Sequence, residues 1–113
     1  MESILTSIKK DLGIDKEYNV FDSDIIRHIN SALMVLMQLG VGPSKGFRVT
    51  GEYETWDGFL EGRTDLEAVK DYVFIKVKLV FDPPANSSTL EALKEQAKEL
   101  EWRLNVQVET NNV

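Results

Sequence analysis

The chain has 113 residues, 42% of them hydrophobic, with 13 basic and 19 acidic side chains for a formal net charge of -6. That length supports one domain with a modest core. The acidity argues against gripping a phosphate backbone, which needs concentrated basic surface. Cysteine is absent, which removes disulfides and thiolate metal sites. No apolar run nears the ~20 residues that cross a bilayer. The opening MESILTSIKKDLG lacks a basic leader followed by a hydrophobic block, so neither membrane association nor secretion is expected.

Ile4, Leu5, Ile8 and Leu12 recur at helical spacing behind Ser3, a candidate N-cap, with Gly13 just past the last of them. This predicts a short first helix stabilised by packing, since isolated helices of this length are marginal. Asp22 is the candidate N-cap of a second helix, with Asp24 in its first turn, where a carboxylate favours the unsatisfied amides. Its main stripe is Ile25, Ile29, Ala32, Leu36 and Leu39, widened by Ile26, Leu33 and Met37. Burial on more than one side follows, either as the central core helix or as one that also meets a neighbouring subunit. Gly40 is placed to end it, and Gly42-Pro43 prevents resumption.

Residues 41–63 hold five of the seven glycines and read as a long irregular loop. Phe47, Val49 and Tyr53 alternate imperfectly with polar residues, leaving room for a short β-hairpin, and Asp57 to Leu60 behind Trp56 has the makings of one helical turn. Loops this long carry contacts or are disordered. The aromatic residues Phe47, Tyr53, Trp56 and Phe59 favour contact, with the domain body or with a partner.

Thr64 and Glu67 form a candidate capping box ahead of Leu66, Val69, Val73, Val77 and Val80, a helical face. Strand-like alternation competes over 73–79, but the cap and the lack of a pairing strand favour helix. Pro83-Pro84 stops the element near Phe81-Asp82. A second box, Ser88 to Glu91, opens a helix whose stripe is Leu90, Leu93, Ala97, Leu100 and Leu104, with Trp102 outside it. Two heptads are too few for a free coiled coil, so this helix is expected to pack on its own domain. The expected architecture is all-α: a small bundle of about four helices with the long loop 41–63 between the second and third. Residues 1–106 form the helical domain and 107–113 a polar C-terminal tail. The expected core is Ile25, Ile29, Leu33, Leu36, Leu66, Val69, Val73, Val77, Val80, Leu90, Leu93, Ala97, Leu100 and Leu104. Candidate interface residues are Phe47, Tyr53, Trp56, Phe59, Met34, Met37 and Trp102.

Catalytic chemistry is not encoded in any recognisable pattern. His28 is the single histidine and sits among Ile25, Ile26 and Ile29, where a structural role outweighs a catalytic one; with Asp24 it supplies two ligands, short of a metal site. Asp57, Glu61 and Asp65 are explained as solvated carboxylates. No EF-hand, HExxH or phosphate-binding glycine loop is present, and no serine has a credible base and orienting acid. The reading is a non-enzyme with no cofactor and no metal.

DSDIIRHINSALMVLMQLGVGP, the tryptophan-centred TWDGFL, VKDYVFIKVKLVFDPP and the closing EWRLN together resemble small head-tail connector proteins of tailed bacteriophages, especially those infecting Gram-positive hosts, over roughly residues 1–106. The resemblance implies a helical subunit forming a ring, of about twelve copies, beneath the portal protein. It further implies that such a ring extends the DNA channel and docks a stopper or tail-completion protein. Genomic DNA would pass without sequence-specific binding, and the protein would sit in the virion neck after assembly in the host cytoplasm. The FDPP stop, with Lys76 and Lys78, departs from the aromatic and basic ending common in better-described relatives. The alternative is a phage assembly chaperone, or another tail-completion protein, without a closed ring.

Overall fold

The computed structural model describes residues 2–111, with side-chain environments through Glu109. Five α-helices follow in order: α1 (Ile4–Asp11), α2 (Asp22–Gln38), α3 (Trp56–Leu60), α4 (Ala68–Phe81) and α5 (Ser87–Asn111), with a 3-10 turn at Thr64–Leu66 before α4. Among the described residues there is no sheet; one isolated antiparallel bridge joins Ser3 to Thr55. The fold is all-α, and four of its helices have eight residues or more.

α4 is the hub. Its buried residues are Val69, Tyr72, Val73, Ile75 and Val77, which lie on more than one side of the helix, and it packs most extensively against α2 and α5. Strong β-formers in a helix are tolerated because burial on several sides outweighs the modest propensity penalty. α2 turns Ile25, Ile29, Ala32, Leu33 and Leu36 inward. α5 runs back along α4, with Ala97, Leu104 and Val108 buried. The molecule measures 43 × 35 × 19 Å. With helices ~10–12 Å across, that is a slab about two helices thick, in which α4 lies between α2 and α5. The carboxyl ends of α2 and α5 converge. Asn105 Nδ2 donates to the Leu39 carbonyl at 3.1 Å, capping α2 from outside it. Gly40, at φ +88°, has Val108 Cγ1 3.3 Å from where a Cβ would stand.

The ends of the elements depart from expectation in instructive ways. Ser3 does cap α1, accepting from the Thr6 amide at 3.0 Å, and α4 ends at Phe81 ahead of the prolines. Asp22 does not cap α2. Phe21 occupies the cap position without a side-chain bond, because the Asp22 carboxylate is turned to Lys9. The Thr64–Glu67 box does not form either; a 3-10 turn intervenes, and Glu67 pairs with Lys70 at 3.1 Å. α5 starts before its expected box, since Asn86 Oδ1 already accepts from the Thr89 amide at 3.1 Å; Asn caps as well as Ser. The helix then continues to Asn111, so the described part of the expected tail is helical with Val108 buried, while residues 112–113 lie outside the described residues.

No hairpin forms in 41–63. The loop is tied down instead by α2 and by the first residue of α1. Asn30 forms a two-pronged bond to Val49, its Nδ2 donating to the Val49 carbonyl at 2.9 Å and its Oδ1 accepting the Val49 amide at 2.8 Å. The Ile4 amide donates to the Glu54 carbonyl at 2.9 Å. α3 then follows, capped by Thr55, whose hydroxyl accepts from the Gly58 amide at 3.2 Å.

Candidate assembly surfaces

The expected core residues divide by position along the slab. Ile25, Ile29, Leu33, Leu36, Leu66, Val69, Val73, Val77, Ala97 and Leu104 are buried. Leu93 and Leu100 are half-buried against the core, and Leu90 is half-buried. Val80 is not core: it is 61% exposed. It lies in the last turn of α4, next to the connection to α5, and the first residues of α5 are themselves exposed.

The aromatic loop residues are largely internal. Trp56 is 7% exposed, and its Nε1 donates to Ser7 Oγ at 3.1 Å, pinning α3 to α1. Phe59 is fully buried beneath the Gly42 backbone, where an added Cβ would come within 2.5 Å of the ring. Phe47 is half-buried and meets Phe59 edge to face at 5.3 Å between centroids. Trp56 and Phe59, expected at an interface, are therefore core residues of the subunit, because the loop folds back over α1 and α2 and takes the place of a further helix. Met37 is half-buried against the core. Tyr53, Met34 and Trp102 remain on the surface at 86%, 54% and 64% exposure.

Three polar arrangements escaped the sequence reading. The first is Lys9, 1% exposed, whose Nζ donates to the carbonyls of Lys16 and Tyr18, each at 2.9 Å, and lies 2.8 Å from Asp22 Oδ1. That oxygen has no aligned hydrogen-bond partner, so its contact with the ammonium is charge attraction rather than a directed bond. Lys9 thus sets the path of the α1–α2 connection. Leu5 and Leu12, four residues before and three after, place it on the apolar face, which was the available signal. The second is Asn30, in register with Ile26, Leu33 and Met37. The third is Tyr72, whose hydroxyl donates to Glu101 Oε2 at 2.7 Å across the α4–α5 interface. Burial pushes the Tyr72 phenol well above its ordinary value, with the Glu101 bond and charge adding to it.

The α1–α2 connection carries an aromatic chain. Tyr18 and Phe21 lie 5.9 Å apart, and Phe21 meets Phe81 edge to face at 5.4 Å. Tyr18 and Phe21 are exposed, as is neighbouring Val20.

The electrostatics are those of a structural surface. Asp65 is held down at about 2 by hydrogen bonds from Arg63 and then from Gln107 Nε2, which reaches it from α5 at 3.2 Å. Partial burial raises the Asp11 carboxyl, and the charges of Asp71 and Glu2 push it the same way. Burial would raise Glu54, but bonds from the Thr50 hydroxyl and amide outweigh it and hold it low. His28 is half-buried on α2. Among the described residues no group of three or more His, Cys, Asp or Glu could hold a metal ion, so Asp57, Glu61 and Asp65 do not form one. A depression of about 1130 Å³ is an open groove between α1, the α1–α2 connection and Tyr53. No described helix is long and apolar enough to cross a membrane.

Such a molecule is a helical domain with several large apolar side chains on its surface. A family model described as phage connector protein matches residues 4–111, from the first residue of α1 to the last of α5, and the chain belongs to that family. No curated protein and no solved structure matches it.

Proposed function

We propose that this connector-family chain is an adaptor subunit that assembles into a closed ring beneath the portal protein, extends the DNA channel and presents a docking face to a stopper or tail-completion protein. The observation that carries the reading is the exposure of Met34 on α2 and Trp102 on α5, two different helices of a domain that is connector from end to end. Closed rings use heterologous interfaces, in which two unlike faces of one subunit meet. A net charge of -6 suits a channel that lets a duplex slide without holding it, because like charge repels the phosphates. Ring size of about twelve, location in the virion neck and a phage of a Gram-positive host belong to the same reading.

Native mass spectrometry and negative-stain imaging test it, with the purified chain alone and with portal-bearing capsids. The expected result is a closed ring, free or seated on the portal. A stable one-to-one complex with an unfolded tail protein, and no ring under either condition, would instead identify an assembly chaperone.

A further inference from the structure

The outward faces of α2 and α5 differ in charge as well as position. On α2, Arg27, Ser31 and Met34 form a stripe turned away from α4. Beside it Arg48 comes in from the loop, enclosing a shallow depression of about 470 Å³ whose apolar lining is Ile26 and Met34. Both charged residues of its lining are cationic. Arg27 has a long contact with Asp24, at 3.7 Å, and Arg48 is exposed with no partner among the described residues. On α5 the outward stripe is Trp102 and Val106, exposed side chains one turn apart. Between residues 95 and 109 that helix carries Glu95, Glu99, Glu101 and Glu109 against Lys98 and Arg103. Glu95 and Glu99 are neutralised by Lys98 and Arg103, and Glu101 accepts from Tyr72. Glu109, one turn beyond Val106, is exposed.

We infer that the depression on α2 is the seat for α5 of a second copy of this chain, with Trp102 and Val106 entering over Ile26 and Met34 while Arg27 and Arg48 face the acidic side of α5. The inference deepens the ring reading above and rests on it. An apolar ridge flanked by the exposed Glu109 meets an apolar hollow flanked by the exposed Arg48, and opposite charges fix register and partner choice. Two α2 faces would offer Arg48 no unpaired carboxylate, and two α5 faces would offer Glu109 no unpaired cation. The pairing is therefore head to tail. Because α4 lies between α2 and α5, each subunit offers the ridge on one flank and the hollow on the other, and the contact repeats from copy to copy. An aromatic anchor in a pocket, rimmed by charge, is also the usual form of an interface centre.

The absence of native cysteine allows a direct test. Two single variants, Met34→Cys and Trp102→Cys, both at exposed sites, are checked for unchanged circular dichroism, mixed, and treated with oxidised glutathione. The heterotypic disulfide, joining position 34 of one copy to position 102 of another, is expected to exceed either homotypic product by roughly tenfold, because only cysteines brought within about 7 Å between Cα atoms join without backbone movement. Arg48→Glu in the Met34→Cys background should reduce that yield, as should 1 M salt, where screening shortens to about 3 Å. If the unmodified chain forms rings but the heterotypic disulfide is not preferred, this interface is wrong and the ring reading stands. If no multimer of the unmodified chain appears, free or on portal particles, both fall.

Discussion

Replacing Lys9 by Met should be among the most destabilising single changes on this chain, although the residue is charged. The ammonium is 1% exposed, donates to two backbone carbonyls and neutralises Asp22. Met keeps most of the volume, so the packing loss is small and the polar loss dominates. Breaking a buried ion pair by removing one partner costs about 3–5 kcal/mol. The Asp22 side chain keeps 24% exposure, so water can recover part of its hydration and the lower end applies. Stranding the Lys16 and Tyr18 carbonyls adds to the loss, although a connection that relaxes can rehydrate them. An expected loss of about 3 kcal/mol translates to a fall in Tm of roughly 10–15 °C for a domain of this size. Urea unfolding should be followed by circular dichroism and by tryptophan fluorescence, since Trp56 is bonded to Ser7 on α1 and reports its docking. Lys10→Met, one residue on and exposed, is the control and should stay within about 0.5 kcal/mol. In a double-mutant cycle, Lys9→Met with Asp22→Asn should lose less than the sum of the singles. A Lys9→Met protein as stable as the parent with an unchanged m-value would refute the account of Lys9 as the anchor of the α1–α2 connection.

Trp56→Ala should cost about 3–5 kcal/mol, as for a buried aromatic, whereas Trp102→Ala should change subunit stability by under about 0.5 kcal/mol; chemical denaturation compares them, and equal effects would mean one is misplaced. Asn30→Ala removes both bonds to Val49 and should cost about 1–3 kcal/mol, with hydrogen exchange at the Val49 amide accelerating well ahead of the α4 amides. Asp65 has a folded value of about 2 against an ordinary 3.8, so its contribution is present above about pH 4 and is lost as pH falls through 2. Exchange in the last turns of α5 should rise across that window, and Asp65→Asn should flatten the dependence. Tyr72 shifts the other way: its stabilisation is complete below pH 10 and declines as pH rises beyond that, so Tyr72→Phe should lessen alkaline sensitivity in a pH-dependent melt.

Periodicity and local stop signals determined most of the long elements. The apolar stripes of α2 and α5, the diproline stop and the Ser3 cap are local properties, settled by neighbours within about one turn, whereas the helical reading of 69–81 rested on a capping box that does not form and on the lack of a strand to pair with. The helical turn behind Trp56 was legible for the same reason. What only the tertiary structure decided is where polar side chains go and which apolar ones are covered. Asp22, Thr64 and Ser88 have the chemistry of caps, but a residue with two bonding options takes the one that the rest of the fold offers. Asp22 took Lys9, and Asn86 capped α5 before Ser88 could. Trp56 and Trp102 are the same residue type, yet one packs inward against α1 and the other faces solvent. Burial depends on surfaces brought together from distant parts of the chain, and a helix face does not record what packs against it. The sequence therefore established a helical domain with apolar faces, and the three-dimensional packing established which of those faces are buried within it and which are left exposed.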